Sequence, residues 1–271
     1  MSEFTVARIT IACDAVCEIQ PAIETAAQLA GQWQAALHGI FVEDLALLQA
    51  AALPFAREVS AAPAAAQALD EEEMARQLAA LASRVRADLA AAARRHGLSW
   101  TFAVVRDRPS ARALSAPDTD LLIVESCART FAGALRLESR SASAAFEADR
   151  SVLLLRDGGE KRGRVVALIQ TAGETGWRTL AAAAKVATAG DRPLAVLVAT
   201  DEISSAQIRD RLRSASPELA ARARIESLSR TSIANLGREL LVVDADPAVN
   251  PPAALREIVA STPADVLLVR R

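Results

Sequence analysis

The 271-residue sequence lacks a charge imbalance, with 31 basic residues against 33 acidic ones and a formal net charge of −2. No overall field therefore favours nucleic acid or an anionic membrane surface as a partner. Long hydrophobic runs are missing as well; none approaches the roughly 18 uninterrupted apolar residues of a membrane-spanning helix. The opening stretch MSEFTVARITIACDAVC has no basic region followed by an apolar segment and a cleavage site, so the expected location is the cytoplasm. Cysteine is scarce. Cys13, Cys17 and Cys127 do not make a disulfide framework in a chain of this length, which fits a reducing compartment. His38 and His96 are the only histidines, and without a Cys-x-x-Cys pair they exclude a typical zinc site. Lysine is nearly absent, only Lys161 and Lys185, so arginine supplies the positive contacts. No G-x-S-x-G motif occurs, which leaves a serine hydrolase without its nucleophile.

What is present is an alternation of short apolar runs with longer segments of helical period. ARITIAC (7–13), LHGIFVE (37–43), WTFAVV (100–105), DLLIVES (120–126) and SVLLLR (151–156) read as strands. Between the first two, Ile23, Ala26, Ala27, Ala30, Trp33 and Leu37 recur at the three-to-four spacing of one helix face. Met74, Leu78, Leu81, Val85, Leu89 and Ala92 form a second stripe, ending where Gly97 can supply a left-handed cap. Glu71, Glu72 and Glu73 suit the entry of that helix, since its N-terminal dipole favours carboxylates. The segment 43–60 is apolar enough to pack over a cleft or against a partner. Strands apolar on both faces and linked by helices indicate a parallel sheet covered on both sides.

DGGEKRGR (157–164) breaks the pattern with three glycines and dense charge, and reads as a linker. The alternation then restarts with strands VVALIQ (165–170), PLAVLVAT (193–200), RIESLS (224–229), LLVVDAD (240–246) and DVLLVRR (265–271). Helices are expected at 177–189, around Ile208, Leu212 and Leu219, from Ile233 to Leu240, and from Pro251 to Ser261, with Asn250 as N-cap. LLIVES and SVLLLR in the first half are answered by LLVVDAD and DVLLVRR in the second. This is a long-period internal repeat, giving domains at 1–156 and 165–271.

The residues that carry ARITIACD, with Asp14 at the first strand end, LHGIFVED at the second, DTDLLIVES, LRLES and SVLLLR resemble the universal stress protein family in a tandem arrangement. The resemblance covers nearly the whole chain. It implies two flavodoxin-like, adenine-nucleotide-hydrolase-like α/β domains, each with five parallel strands ordered 3-2-1-4-5, paired as an intramolecular pseudo-dimer through their fifth strands. It also implies possible homodimers and outputs that are mostly regulatory.

ATP-binding members carry Gly-x2-Gly-x9-Gly-(Ser/Thr) after the fourth strand, where glycines let backbone amides approach phosphate oxygens. That spacing falls on Glu125, Ala128 and Glu138, followed by Ser139, so the register is intact and every glycine is gone. A like-charge contact near 4 Å costs about 4 kcal/mol at an effective dielectric of 20. The cradle is therefore expected to be degenerate, with no bound cofactor. The counter-reading keeps ATP or another adenine nucleotide in the first half, on Asp14, Val42, Ser126, Arg129, Ser139 and Arg140. Asp14 itself reads equally as a nucleotide contact or as a turn residue before a helix. In the second half Gln170 takes the aspartate position and Asp244 the first glycine position, which leaves no phosphate loop there.

Three functional classes follow. The first is a regulatory protein that acts by association with an unknown protein partner and without catalysis. The second is a nucleotide-dependent sensor or slow ATPase in the first half. The third is a thiol redox switch at Cys13, Cys17 and Cys127, which needs a lowered thiol pKa. His96 is expected against helix-terminal carbonyls, GETG (173–176) as a turn, and Arg209, Arg211 and Arg213 on a solvated helix face without a nucleic-acid role.

Overall fold

The structure, a computed structural model, describes residues 4–15, 19–53, 57–58, 67–68, 71–114, 116, 118–126, 128–131, 135–138, 140–156, 163–228, 233–237 and 239–270. The first half runs β1 (Arg8–Cys13), α1 (Ile19–Trp33), β2 (Ala36–Asp44), α2 (Leu45–Ala51), α3 (Glu71–His96), β3 (Trp100–Asp107), β4 (Leu121–Glu125), α4 (Arg140–Ala145) and β5 (Ser151–Leu155). The second runs β6 (Val165–Ile169), α5 (Glu174–Ala189), β7 (Leu194–Val198), α6 (Ser205–Ala215), α7 (Pro217–Arg222), β8 (Arg224–Ser227), β9 (Leu240–Asp244), α8 (Pro252–Ser261) and β10 (Asp265–Val269).

All ten of these strands form one sheet in the order β8-β7-β6-β9-β10-β5-β4-β1-β2-β3. Each half has the order 3-2-1-4-5, and every pairing is parallel except the one between β5 and β10. There Leu154 faces Val266, Leu153 faces Leu267 and Val152 faces Leu268 in antiparallel register. This single antiparallel seam joins the halves and turns their strand C-termini towards opposite edges of the sheet.

The central strands are buried on both faces, which is why LLIVE, SVLLL, VVALI, LLVVD and DVLLV contain no alternation of apolar with polar. One core lies under α1, α3, α5 and α6, and the other under α4 and α8. Both continue from one half into the other. Burial of each leucine, isoleucine or valine in them contributes roughly 1.5–3 kcal/mol.

The seam is also held by side chains in a pattern that repeats about its local two-fold. The residue after each fifth strand donates its backbone N–H to the first side chain of the opposite strand: Arg156 to Asp265 Oδ1 at 2.8 Å and Arg270 to Ser151 Oγ at 3.1 Å. Each guanidinium then reaches the other half. Arg156 Nη2 donates to the Val259 carbonyl near the end of α8, and Arg270 Nη2 donates to the Phe146 carbonyl after α4 at 2.6 Å. Arg256 of α8 lies 5.7 Å from the Phe146 ring centre, a further contact across the seam.

Several expectations change in detail. The single helix around Ile208, Leu212 and Leu219 is two helices, because Ser216 adopts an extended φ of −159° and caps α7, with Pro217 beginning the new turn. The helix expected from Ile233 to Leu240 is, among the described residues, a turn at 233–237 followed by β9. Gly237 disfavours helix there, and the stretch is too short to complete more than one turn. Helix α5 starts earlier than its apolar stripe suggests, with Gly173 as N-cap. A side chain at Gly176 would put its Cβ 2.1 Å from the Thr171 carbonyl oxygen, so only glycine lets the helix begin this close to the preceding turn. Gly97, at φ +64°, occupies the left-handed position that ends α3. Most of the expected linker, and most of residues 54–70, lie outside the described residues.

Candidate functional site

In an open α/β sheet the ligand crevice lies beyond the strand C-termini, where the strand order reverses. In the first half that point falls between β1 and β4, which pair through Ala12 and Val124. Cys13 closes β1, Asp14 follows it, and Glu125 closes β4. All three are buried. At the end of the neighbouring β2 stand Glu43 and Asp44, also buried. Glu43 accepts a hydrogen bond from Arg106 Nε at 2.8 Å, and Asp44 accepts from the Ala46 backbone at 2.8 Å, which caps α2. Four buried carboxylates thus share one sheet edge. The cavity among Ile11, Cys13, Asp14, Ile19, Val124 and Glu125 has a volume of about 10 Å³, room for about one water.

The charge here acts on Cys13. Burial, then the negative charges of Asp14 and Glu125, push its thiol well above the ordinary range. That is the opposite of the shift a reactive thiolate needs. Cys17 and Cys127 lie outside the described residues. Val42 is buried in the sheet core on the α4 side with Ile40 and Leu122, and the Ser126 backbone N–H donates to the Leu155 carbonyl at 2.7 Å, continuing the β4–β5 ladder.

Beyond β4 the chain forms a two-stranded antiparallel ribbon, Ala128–Phe131 against Leu135–Glu138. Its register pairs Ala128 with Glu138, so the positions expected to match the second and third family glycines stand directly opposite one another. The backbone amides of such a ribbon are engaged across the strands in place of forming an open cradle. The side chains of Arg129 and Arg140, and all of Ser139, lie outside what the structure describes.

At the equivalent point of the second half, the ends of β6 and β9 are bridged by a pair of amides. Gln170 Nε2 donates to Asn250 Oδ1 at 3.0 Å, and Asn250 Nδ2 donates back to Gln170 Oε1 at 2.5 Å and to the Asp244 carbonyl at 2.7 Å. Asn250 is buried, so it is not the helix cap expected from Asn-Pro; Pro251 takes the N-cap position of α8 without a side-chain bond. Gln170 is 80 residues from Asn250 in sequence, and only the adjacency of β6 and β9 reveals the lock.

The remaining candidates sit away from both crevices. His96 and Arg95 at the end of α3 bond the Glu24 carboxylate on α1, His96 Nε2 at 3.0 Å, instead of helix-terminal carbonyls. His38 lies against Thr101 Oγ1 of β3, and burial holds its pKa below the ordinary value. Arg213 pairs with Asp210 while Arg211 stacks 5.1 Å from the centre of the Trp177 ring. Among the described residues no cluster of metal-ligating side chains occurs and no helix is long and apolar enough to cross a membrane.

No protein-family model matches the sequence, and no curated protein does. Solved structures do match. A universal stress protein from Archaeoglobus fulgidus DSM 4304 superposes with a TM-score of 0.59 at 11% identity, covering 99% of this chain and 98% of its own. A functionally unknown protein from Pseudomonas aeruginosa PAO1 gives 0.57 at 16% identity over 98% of this chain and 93% of its own. The cytoplasmic domain of a prokaryotic cation chloride cotransporter gives 0.51 at 9% identity, with coverage of 97% and 95%. With two half-sheets of order 3-2-1-4-5 joined at their fifth strands, and a solved universal stress protein matched along the whole length, the chain has the tandem universal stress protein fold.

Proposed function

We propose that the protein is a cytoplasmic stress-response regulator of the universal stress type that works by binding another protein, with nucleotide crevices that have lost their ligand. The observation that carries this reading is the acidic, nearly filled crevice of the first half. Glu125 stands at the first glycine position of the family loop, Asp14 is buried at the end of the adjacent strand, and Glu43 and Asp44 are buried one strand further on, Glu43 with Arg106 as its partner. A polyphosphate brought to this edge meets like charge in a region of reduced dielectric, where each close contact costs several kcal/mol. The Gln170–Asn250 pair supports the same reading for the second half. The reading assigns no catalytic step, and it takes residues 1–156 and 165–271 as the two domains.

Calorimetric titration of native protein with ATP tests the claim, after denatured protein has been assayed for released adenine nucleotide. No heat of binding at millimolar ATP and no released nucleotide are expected. Tight binding in wild-type protein would overturn the reading and favour the sensor alternative, with the arginines near the ribbon replacing the glycine cradle. Glu125→Gly with Glu138→Gly should restore little affinity, because Asp14, Glu43 and Asp44 remain. Association is tested separately by light scattering on the purified chain and by pull-down with the chain as bait. A chain that stays monomeric and captures no protein would refute the association part.

A further inference from the structure

The ten-stranded sheet ends in two unlike edges. β8 closes one side with four residues, RIES, in which Arg224 and Glu226 are exposed charges. A short, charged strand is one way proteins blunt an edge against further pairing. β3 closes the other side with eight residues, and its first six, WTFAVV, carry no charge. None of the eight is buried, whereas β2 beside it is mostly buried. Val104 is 48% exposed, the most open large hydrophobic side chain among the described residues.

The pairing with β2 fixes which backbone groups of β3 are free. Leu37 N–H donates to the Ser99 carbonyl at 3.0 Å, and the parallel register sets Leu37 beside Trp100, Gly39 beside Phe102 and Phe41 beside Val104. In a parallel ladder of that phase, Thr101, Ala103, Val105 and Asp107 direct their backbone groups to β2. Trp100, Phe102, Val104 and Arg106 therefore turn N–H and C=O to the open edge.

These four positions complement one another. When the strand meets a copy of itself antiparallel, about a two-fold axis at Ala103, Phe102 falls opposite Val104 and Trp100 opposite Arg106, each twice. Outward-facing residues then oppose one another as hydrogen-bonded pairs, which gives about eight bonds between the chains. Phenylalanine against valine is a favourable cross-strand pair, aromatic on β-branched. Arg106 is held at the edge by its Nε bond to Glu43 at 2.8 Å with its side chain still 60% exposed, so its guanidinium is open to the indole of the other copy. Ala103 meets its own copy at the axis, in a non-hydrogen-bonded pair, where side chains come closest and a methyl group fits. No charge in this register faces a like charge.

We infer that β3 is a homodimer interface, pairing antiparallel with β3 of a second copy to make one continuous sheet across two chains. A second copy is the occupant because this one sequence, set on both sides of the axis, matches cation to aromatic face and aromatic to aliphatic. The fifth strands are spent on each other within the chain, which leaves β3 as the long free edge.

Sedimentation equilibrium on the intact chain tests the interface, and a reversible monomer–dimer equilibrium in the micromolar range is expected. Val104→Pro removes an outward N–H and none that bonds β2, so it should weaken the dimer roughly tenfold or more. Val104→Lys, at an exposed position, should do the same and carries the test if the proline variant does not fold. Glu226→Lys on the opposite edge should leave the equilibrium unchanged. Ala103→Cys brings two thiols across the axis and should crosslink with a short bismaleimide to a covalent dimer absent from wild-type protein. A monomer at every concentration, a dimer indifferent to the Val104 variants, or no crosslinking of Ala103→Cys would each overturn the assignment. None of these outcomes bears on the ATP titration, so the interface and the crevice reading fail separately.

Discussion

Replacing Arg156 or Arg270 with alanine asks how much of the union between the halves rests on two side chains. Each guanidinium crosses the seam to a carbonyl of the other half, Arg156 to Val259 and Arg270 to Phe146. A hydrogen bond from a charged donor contributes about 1.5–3 kcal/mol. Truncation also strands the carbonyl and removes the packing of the arginine stem, so a loss of roughly 2 kcal/mol is expected for each variant. For a protein of this size 1 kcal/mol moves the melting temperature by about 2–4 °C, which gives about 4 °C or more per arginine. The two clamps act at opposite ends of the five-residue strand β5, a separation of about 16 Å at about 3.3 Å per residue. Effects at that distance add to within about 0.5 kcal/mol, so the double variant should lose about 4 kcal/mol and melt about 8 °C or more below wild type. Differential scanning calorimetry reads this directly, and lysine variants provide the control: charge is kept, but the reach and planar fork are not. A double variant melting within about 1 °C of wild type would show that the strand ladder and the shared cores hold the halves without the clamps.

Three further predictions concern single groups. Cys13 should resist iodoacetamide at pH 8 in native protein and react in urea, since burial and two neighbouring carboxylates keep its thiol protonated; equal labelling in both states, read by mass spectrometry, would refute this. Asn250→Ala should cost about 1–3 kcal/mol in urea denaturation because it leaves the Gln170 amide and the Asp244 carbonyl without their partner; an unchanged midpoint would remove the lock from the account of the second half. Glu24 is held below the ordinary carboxylate range, first by its hydrogen bond to His96 and then by Arg95. A depressed folded pKa stabilises above the unfolded value near 4.3 and is lost as pH falls through the folded one, so Glu24→Gln should flatten the fall in melting temperature between about pH 5 and pH 3; an unaltered acid limb would contradict it.

The parallel sheet was legible in the sequence because strands buried on both faces must be apolar throughout, and LLIVE, SVLLL, VVALI, LLVVD and DVLLV are. The tandem repeat, the long α3 stripe and the Gly97 cap were legible for similarly local reasons. The edge strands gave a weaker signal: β3 and β8 have half-buried and exposed positions, and their pattern is correspondingly mixed. What escaped was anything that depends on partners distant in the chain. Asn250 next to proline looks like a cap until Gln170, 80 residues away, is brought beside it. His96 at a helix end looks like a carbonyl partner until Glu24 arrives from α1. The acidic first crevice was half legible, since Asp14 and Glu125 hold recognisable positions, while Glu43 and Asp44 joined them only through the β1–β2 register. The pairing of Ala128 with Glu138 had no local sequence signal at all.

The antiparallel seam has a consequence for how the two crevices change with time. In a dimer of identical chains, every substitution appears on both sides of the axis and must be tolerated twice. Here one peptide carries both sides, and their strand ends open on opposite edges of the sheet, so neither crevice constrains the other. One edge carries buried carboxylates and the other a hydrogen-bonded pair of amides, while SVLLLR and DVLLVR, which must fit each other, are alike.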